Sequence, residues 1–431
     1  MGHPGEQQAN APKIIKSASG VRITDIDGHD PVDAVGGLWC VNLGYSNDVV
    51  KQAISDQLWQ LPYYSAFAGS TNPAAIEASY AVQEFFAEDG MTRVFFTSGG
   101  SDSVDTALRM ARQYHRLRGE PTRTKFLSLK KGYHGTHWGG ASVNGNNRFR
   151  ITYEPLLPGC YHLPSPYTYR NPYDETDGAK LAQKIAAAMV DEIEFQDPST
   201  IAAFIMEPIQ GAGGVIVPDA SFMKLMREIC DRYGILMISD EVITGFGRTG
   251  DWTGARHWGV KPDMMTIAKG ITSGYFPVGG VVLGDKVADV FEKAGPEGSI
   301  WTGYTYSAHP VGAAAVVACL SETLRLDTKS NAAVRGTQLY EGVKKLAEKY
   351  DIIGDVRGGH GLMMGIELVS DRAKKTPMDA ATMKRVHQAT YEAGAMVRLG
   401  AHNILMSPPL VISEAEIDVI LSALDAGFAA A

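Results

Sequence analysis

Apolar runs that each end in a polar residue and a glycine recur through the middle of this chain, and they constrain its fold most strongly. Amphipathic segments separate them: "SVDTALRMARQYHRLRG", for example, follows "RVFFTSGG". Short apolar runs are typical of strands buried on both faces, and their alternation with helical patterns predicts a mostly parallel sheet covered by helices. We therefore expect an α/β fold.

The polar residues at the ends of these runs are Ser98 to Ser101, Glu207, Asp240 and Lys269. In open α/β sheets, ligands bind outside the carboxyl ends of the strands. We therefore expect these four strand ends to converge on one crevice.

The chain of 431 residues is long enough for two or three lobes. Residues 1–50 contain short alternating runs broken by Asp-Gly and are interpreted as the N-terminal segment of a small domain. Residues 51–310 carry the strand and helix alternation of a large domain. Residues 311–431, which begin with an Ala-rich helical pattern, are interpreted as the C-terminal part of the small domain.

Composition excludes several classes of partner. With a formal net charge of -8 and 20% charged residues, the chain has no basic excess to attract nucleic acid or anionic lipid. No apolar run is long enough to span a membrane, and no secretory signal pattern is present. The cysteines are far apart and show no metal-binding spacing, which favours a reducing cytoplasm over disulfides or zinc: Cys40, Cys160, Cys230 and Cys319.

Lys269 follows the apolar run "DMMTI" and directly precedes a glycine. A lysine in a dry site loses its preference for the charged form, which provides a nucleophilic amine for Schiff-base formation. The alternative is a strand-end lysine that reaches water. The residues alone leave both interpretations open.

Asp240 ends another strongly apolar run, "ILMISD". A buried aspartate needs a cationic or hydrogen-bonding partner, and the protonated pyridine nitrogen of pyridoxal phosphate is one such partner. The alternative is that Asp240 or Glu241 caps the following helix.

The stretch "FFTSGGSDSVDTALRMAR" places a glycine turn between a strand and an amphipathic helix. Free N–H groups and the positive end of the helix dipole suit a phosphate, with Gly100 allowing close approach and Ser101 adding a hydroxyl donor. A helix capped by serine is the alternative. Asp102 must point away from a phosphate if one binds there.

Two further patterns are weaker. "GFGRTG", from Gly245 to Gly250, matches the dinucleotide fingerprint, but no apolar helix follows it, so nicotinamide binding is poorly supported. His134 and His137 lack a third metal ligand in helical context and are interpreted as a pair of loop histidines.

Four motifs together resemble the class III aminotransferases, which are pyridoxal-phosphate enzymes of fold type I. They are "EPIQGAGGVIVP", "DEVITGFGRTG", "AKGITSGYFPVGG" and "YTYSAHPVGAAA", in the order that the family shows. The resemblance covers nearly the whole chain. It implies a large domain with a mostly parallel seven-stranded sheet and a smaller α+β domain.

The resemblance also implies roles for individual residues. Lys269 resembles the lysine that forms an imine with the cofactor aldehyde and later moves the substrate proton, and Asp240 the partner of the pyridine nitrogen. Tyr133 and Val242 look like the residues on the two faces of the cofactor ring. Glu207 resembles the acid that orients the Asp240 side of the site.

Gly100 and Ser101 look like the phosphate cup, although "TSGGSDS" departs from the family's usual T-N-S-G-S-E. Thr305 resembles the threonine that reaches the phosphate from a neighbouring subunit, which implies a homodimer, or a dimer of dimers, with its active site at the interface.

Two residues resemble the substrate-binding positions of the ω-amine:pyruvate branch. Trp39 in "GLWCVNLGYS" looks like a wall of the pocket, and Tyr133 is expected to contact substrate as well. Arg398 looks like a mobile arginine that clamps a carboxylate in two parallel hydrogen bonds and swings aside for an apolar amine.

The resulting hypothesis is a cytoplasmic ω-transaminase that moves an amino group from a primary amine or ω-amino acid to pyruvate, by a ping-pong reaction through pyridoxamine phosphate. An aminomutase or decarboxylase on the same fold is the alternative, since fold does not determine function. A nicotinamide-dependent oxidoreductase that uses "GFGRTG" is the third hypothesis.

Overall fold

The computed structural model describes residues 12–67 and 69–431, which form sixteen strands and a set of covering helices. In chain order the strands are β1 (Ile15–Ser19), β2 (Arg22–Asp25), β3 (Val32–Asp33), β4 (Met91–Thr97), β5 (Lys125–Leu129), β6 (Cys160–Leu163), β7 (Ile201–Met206), β8 (Leu236–Asp240), β9 (Met264–Ile267), β10 (Gly279–Gly284), β11 (Ile353–Arg357), β12 (Met364–Asp371), β13 (Thr376–Pro377), β14 (Ala395–Met396), β15 (Arg398–Leu399) and β16 (Asn403–Met406).

The largest sheet has seven strands in the order β4-β10-β9-β8-β7-β5-β6. Strand β10 runs antiparallel to both of its neighbours, and every other pairing in this sheet is parallel. The predicted mostly parallel seven-stranded sheet is therefore confirmed. Residues on β7 and β8 are buried on both faces, as their uninterrupted apolar sequences require.

Helices cover the two faces of this sheet, and further helices lie in the C-terminal part of the chain. The α-helices are Gly36–Trp39, Asp48–Gln60, Pro73–Phe85, Gly100–Leu117, Trp138–Val143, Gly178–Phe195, Phe222–Tyr233, Gly254–His257, Asp285–Lys293, Pro310–Arg325, Thr328–Lys349, Ala380–Glu392 and Glu414–Ala429. Short 3₁₀ helices occupy Ala87–Asp89, Asn147–Phe149, Ile151–Tyr153, Pro198–Thr200, Lys269–Ile271 and Gly295–Gly298. None of the helices in residues 12–67 and 69–431 combines the length and apolar character needed to cross a bilayer.

Two smaller sheets lie outside the large sheet, and one of them joins the beginning of the chain to its end. Strands β11, β12, β16 and β15 form one, with β13 pairing to β12, and β1, β2, β3 and β14 form the other. Ala395 of β14 pairs in parallel with Val32 of β3, so N-terminal and C-terminal strands share one sheet. This pairing supports a small domain built from 1–50 and 311–431 beside a large domain of 51–310, which stays a prediction. The first eleven residues lie outside the described part of the chain.

The segment "GFGRTG" connects the large sheet with the C-terminal strands. The Arg248 guanidinium is fully buried and donates hydrogen bonds to the carbonyl oxygens of Leu362 (3.1 Å) and Pro408 (2.5 Å) and to the side chain of Asn42 (2.8 Å). Burial lowers its pKa to about 9. In this structure the glycine-rich stretch is therefore a packing junction.

Candidate active site

The carboxyl ends of the central strands converge on one cavity of about 120 Å³. Lys269 follows β9, Asp240 ends β8, Glu207 follows β7, and Gly100 begins the helix after β4. Seven of the residues proposed from the sequence line this cavity: Gly100, Ser101, Tyr133, Glu207, Asp240, Val242 and Lys269. Six others line it as well: Val104, His134, Gly135, Ile209, Ile243 and Thr244.

Lys269 points into this cavity from a strained backbone position with φ 47°. Burial lowers the pKa of its ammonium, while the nearby Asp240 carboxylate opposes that shift. A lowered pKa increases the fraction of neutral amine, which is the nucleophilic form. The glycine that follows is required by packing, because a Cβ on Gly270 would lie 2.6 Å from the side chain of Asn42.

Asp240 is almost completely buried and accepts two hydrogen bonds. His134 Nδ1 lies 2.8 Å from its Oδ2, and the Val242 backbone N–H donates to its Oδ1 at 3.2 Å. The neighbouring Glu241 has a different task, since its carboxylate accepts the backbone N–H groups of Gly254 and Ala255, each at 2.8 Å. Asp240 therefore lines the cavity, and Glu241 caps the following helix, so each of the two roles considered for Asp240 falls to a different residue.

His134 is the functional candidate that sequence reasoning missed. Its pairing with His137 suggested only a loop, but its ring is buried and its Nδ1 is the side-chain partner of Asp240. The backbone N–H of His134 donates to Asn144 Oδ1 at 2.5 Å, which orients the loop that carries the ring. One signal in the sequence could have identified His134. It directly follows Tyr133 in "GYHG", and Tyr133 was already expected to lie in the site.

We expect His134 to act as a positioning residue for Asp240. Replacing it with leucine removes the donor at Nδ1 and should lower kcat about tenfold or more, the usual effect of losing a hydrogen bond to a charged group. His134→Asn retains an amide donor near the same place and should recover most of that loss. Steady-state kinetics with thermal unfolding of both variants tests this, and equal losses in both would contradict it.

Glu207 connects two loops at the wall of the cavity. Its Oε2 accepts the backbone N–H of Tyr133 and its Oε1 that of Gly211, both at 3.0 Å. Burial raises the pKa of Glu207 to about 7. By holding the backbone of Tyr133, this carboxyl places the phenol ring that lines the cavity and packs edge-on against Phe149 at 4.9 Å.

The start of the helix Gly100–Leu117 is free to bind an anion. Its N-cap residue, Gly99, makes no side-chain capping bond, so the first backbone N–H groups lack that partner. Asp102 Oδ2 accepts the backbone N–H of Ser98 at 2.6 Å, so this oxygen is bound to the backbone just before the helix. The Ser101 hydroxyl accepts the Thr136 N–H at 3.1 Å. The serine-capped alternative is therefore not what the structure has.

These features fit pyridoxal phosphate. The cavity has an amine that burial disposes to the neutral form, a buried carboxylate held by an imidazole, and uncapped N–H groups at a long helix start. Gly100 also sets the size of the cavity, because an added Cβ there would lie 3.1 Å from Val242. Lys269, Asp240 and the Gly100–Ser101 turn would hold the aldehyde, the ring nitrogen and the phosphate, respectively.

Three sequence-predicted residues lie outside the lining of this cavity. Thr305 is exposed in a loop, where its carbonyl oxygen accepts the Tyr63 hydroxyl at 2.8 Å. Trp39 is 2% exposed within a core cluster, whereas the adjacent Leu38 is 59% exposed. Arg398 is half-buried and close enough to Tyr133 to affect the pKa of its phenol. Their predicted roles stay predictions.

Comparison with known proteins identifies the class of this fold and site. The family model described as aminotransferase class-III matches residues 5–427, and the chain belongs to that family. It is a pyridoxal-phosphate-dependent aminotransferase of fold type I, as its motifs indicated.

Individual members of the family are similar to this chain over nearly its whole length. The chain is 37% identical to the putrescine–pyruvate aminotransferase of Pseudomonas aeruginosa, covering 95% of this chain and 89% of the relative. It is 35% identical to the taurine–pyruvate aminotransferase of Bilophila wadsworthia, covering 97% and 92%. A crystal structure of an amine transaminase from an uncultivated Pseudomonas species, in its pyridoxal-phosphate-bound form, superposes with a TM-score of 0.97, 45% identity and coverage of 100% and 97%.

Proposed function

We propose that this enzyme transfers the amino group of a primary amine or ω-amino acid to pyruvate, giving a carbonyl product and alanine. The observation that carries the proposal is Arg398, which lies near Tyr133 and has no ion-pair partner among residues 12–67 and 69–431. Burial and the neighbouring Arg148 both lower its pKa, so an anion beside it would relieve an unfavourable environment. The pyruvate-accepting relatives support the same acceptor.

Bound pyridoxal phosphate supplies an aldehyde and an electron-accepting ring. The residues of the chain bind and orient around it. Lys269 Nζ, whose pKa burial lowers, takes and returns a proton at the reacting carbon. Asp240, held by His134 at 2.8 Å, would pair with the ring nitrogen of the cofactor. Burial keeps Asp240 and the Lys269 amine away from most of the solvent.

One pocket must accept two unlike substrates in this reaction, and Arg398 provides the means. A guanidinium binds the carboxylate of pyruvate or alanine through two parallel hydrogen bonds. For an amine without a carboxylate, the same long side chain turns toward the apolar cleft that it borders together with Leu38 and Leu399. We infer that this change of position lets the enzyme bind both kinds of substrate.

Replacing Arg398 with leucine should therefore separate the two half-reactions. The KM for pyruvate is expected to rise about tenfold to a hundredfold, because two charge-assisted hydrogen bonds are lost. The KM for an apolar primary amine should change little. Kinetics with each substrate varied in turn measures this split. A similar increase for both substrates would show that Arg398 acts on the fold of the site rather than on the carboxylate.

The activity itself is tested by screening primary amines and ω-amino acids with pyruvate and measuring alanine, with 2-oxoglutarate as the comparison acceptor. Alanine must appear in proportion to the carbonyl product. An aminomutase or a decarboxylase needs no second keto substrate, so turnover of an amino compound without any acceptor would favour those alternatives.

The proposal includes a homodimer, in which Thr305 of one subunit approaches the phosphate of the other. Its exposure in the single chain, in a loop that also exposes Trp301 and Tyr306, agrees with such an interface. A cytoplasmic location is proposed because all four cysteines are free.

A further inference from the structure

A second cleft of about 840 Å³ lies on chain segments that also supply the active site. Its volume is within the range of roughly 300–1,000 Å³ that small-molecule sites occupy. Lys131 precedes Tyr133 by two positions, the turn Ala212–Gly214 follows the Gly211 that binds Glu207, and His402 lies on the hairpin that begins at Arg398. The cleft therefore shares two loops with the catalytic cavity, and its third segment is the hairpin that carries Arg398.

The charge of this cleft is opposite to that of the chain. Its polar lining consists of cations, imidazoles, amides and one each of phenol and thiol: Lys130, Lys131, Arg150, His162, His402, Asn146, Asn147, Asn403, Tyr161 and Cys160. No aspartate or glutamate lines it in the described part of the chain, although the whole protein carries a net charge of -8. A concave surface of one sign concentrates small ligands of the opposite sign.

Lys131 is held at this surface by its backbone. Its φ of 67° is in the left-handed region, which a lysine rarely adopts. Its N–H donates to the Gly145 carbonyl oxygen at 2.8 Å, and its own carbonyl oxygen lies so close to Gly213 that an added Cβ there would collide with it. The backbone of Lys131 is thus in contact with two other segments that line the cleft, at Gly145 and Gly213.

The ammonium of Lys131 also lacks an acid of its own. Glu367 is the nearest buried carboxylate, but it already accepts the Tyr167 hydroxyl and Arg170 Nε at 2.6 Å, and Arg357 lies 3.7 Å away. No carboxylate lies within ion-pair distance of Lys131 among residues 12–67 and 69–431. Burial lowers the pKa of this lysine, the Glu367 carboxylate opposes that shift, and Arg357 and Arg170 lower the pKa further, so its positive charge is only partly compensated.

The geometry points to a small-anion site in this cleft, in which Lys131, Lys130 and Arg150 bind a phosphate, sulfonate or carboxylate group. Arg398 is absent from the lining of the cleft, so this site is separate from the position proposed for the pyruvate carboxylate. The anion is either the far end of an amino substrate, which rests on the proposed transaminase function, or a free anion from solution.

Binding of inorganic phosphate to the holoenzyme, whose cofactor phosphate position is already filled, tests the site without any turnover. Calorimetry should show binding that weakens about tenfold or more in Lys131→Gln, as expected when a charged hydrogen-bond donor is lost. Arg150→Gln should weaken it as well. Lys261→Gln, an exposed lysine just before the opposite end of β9, makes the same charge change and should leave the Kd unaltered.

Kinetics then distinguish the two sources of the anion. If it is the end of a substrate, phosphate competes with an ω-amino acid, and Lys131→Gln raises the KM for that donor but not for the amine of equal length that ends in a methyl group. If it is a free anion, phosphate binds without competing. Absence of phosphate binding by the wild type, or an equal Kd in all variants, would overturn the site even if the transaminase activity is present.

Discussion

Lys269→Ala is expected to lower kcat by about 10³-fold or more, because the variant loses both the nucleophilic amine and the group that moves the substrate proton. The buried environment that lowers the pKa of this lysine is not repeated at an exposed lysine such as Lys261, so Lys261→Ala should retain full activity.

A second measurement is independent of turnover. Borohydride reduction of the holoenzyme, followed by peptide mass mapping, should attach the cofactor to residue 269 in the wild type and to no residue in Lys269→Ala. A label on another lysine, or an alanine variant with normal turnover, would show that the wrong amine has been assigned.

Asp240→Asn is expected to lower kcat about a hundredfold or more while leaving the fold intact, because one preorganised charge is removed and the side-chain volume is retained. The asparagine oxygen can still accept one of the two hydrogen bonds that Asp240 receives from His134 and Val242. The loss should therefore appear in kcat and not in the thermal unfolding midpoint.

The adjacent carboxylate provides the matched control. Glu241 binds the backbone N–H groups of Gly254 and Ala255 and the hydroxyls of Ser239 and Thr244. Glu241→Gln is expected to reduce the free energy of unfolding by about 1–3 kcal/mol through these buried bonds, with kcat per folded molecule retained. If the two variants showed the reverse pattern, the roles assigned to the two carboxylates would have to be exchanged.

Much of the site could be predicted from the sequence, because a few neighbouring residues are enough to identify the end of a strand. An apolar run that stops at a polar residue and a glycine identifies a strand end, and the rule for parallel sheets then brings such ends together. Glu207, Asp240 and Lys269 were grouped in this way, and the structure places all three around one cavity. The mostly parallel sheet followed from the same alternation, and the number of seven strands followed from the resemblance to the family.

Other residues could not be assigned without the fold. His134 was interpreted as a loop histidine because its partner, Asp240, is 106 positions away in the chain. The cationic cleft is assembled from five separate stretches around residues 130, 146, 161, 213 and 402, none of which is unusually basic by itself. Only packing shows that no aspartate or glutamate lines the cleft in the described part of the chain, although Glu154 lies 3.4 Å from Arg150.

The sequence by itself determined the order of strands and helices and the residue type at each strand end, because those depend on hydrophobic periodicity and turn chemistry over a few residues. Tertiary structure alone decided which of Asp240 and Glu241 faces the cavity, which imidazole contacts Asp240, and how deeply Lys269 is buried. Those properties depend on contacts between distant segments, and the pKa of a group follows from the neighbours and the water that such contacts leave around it.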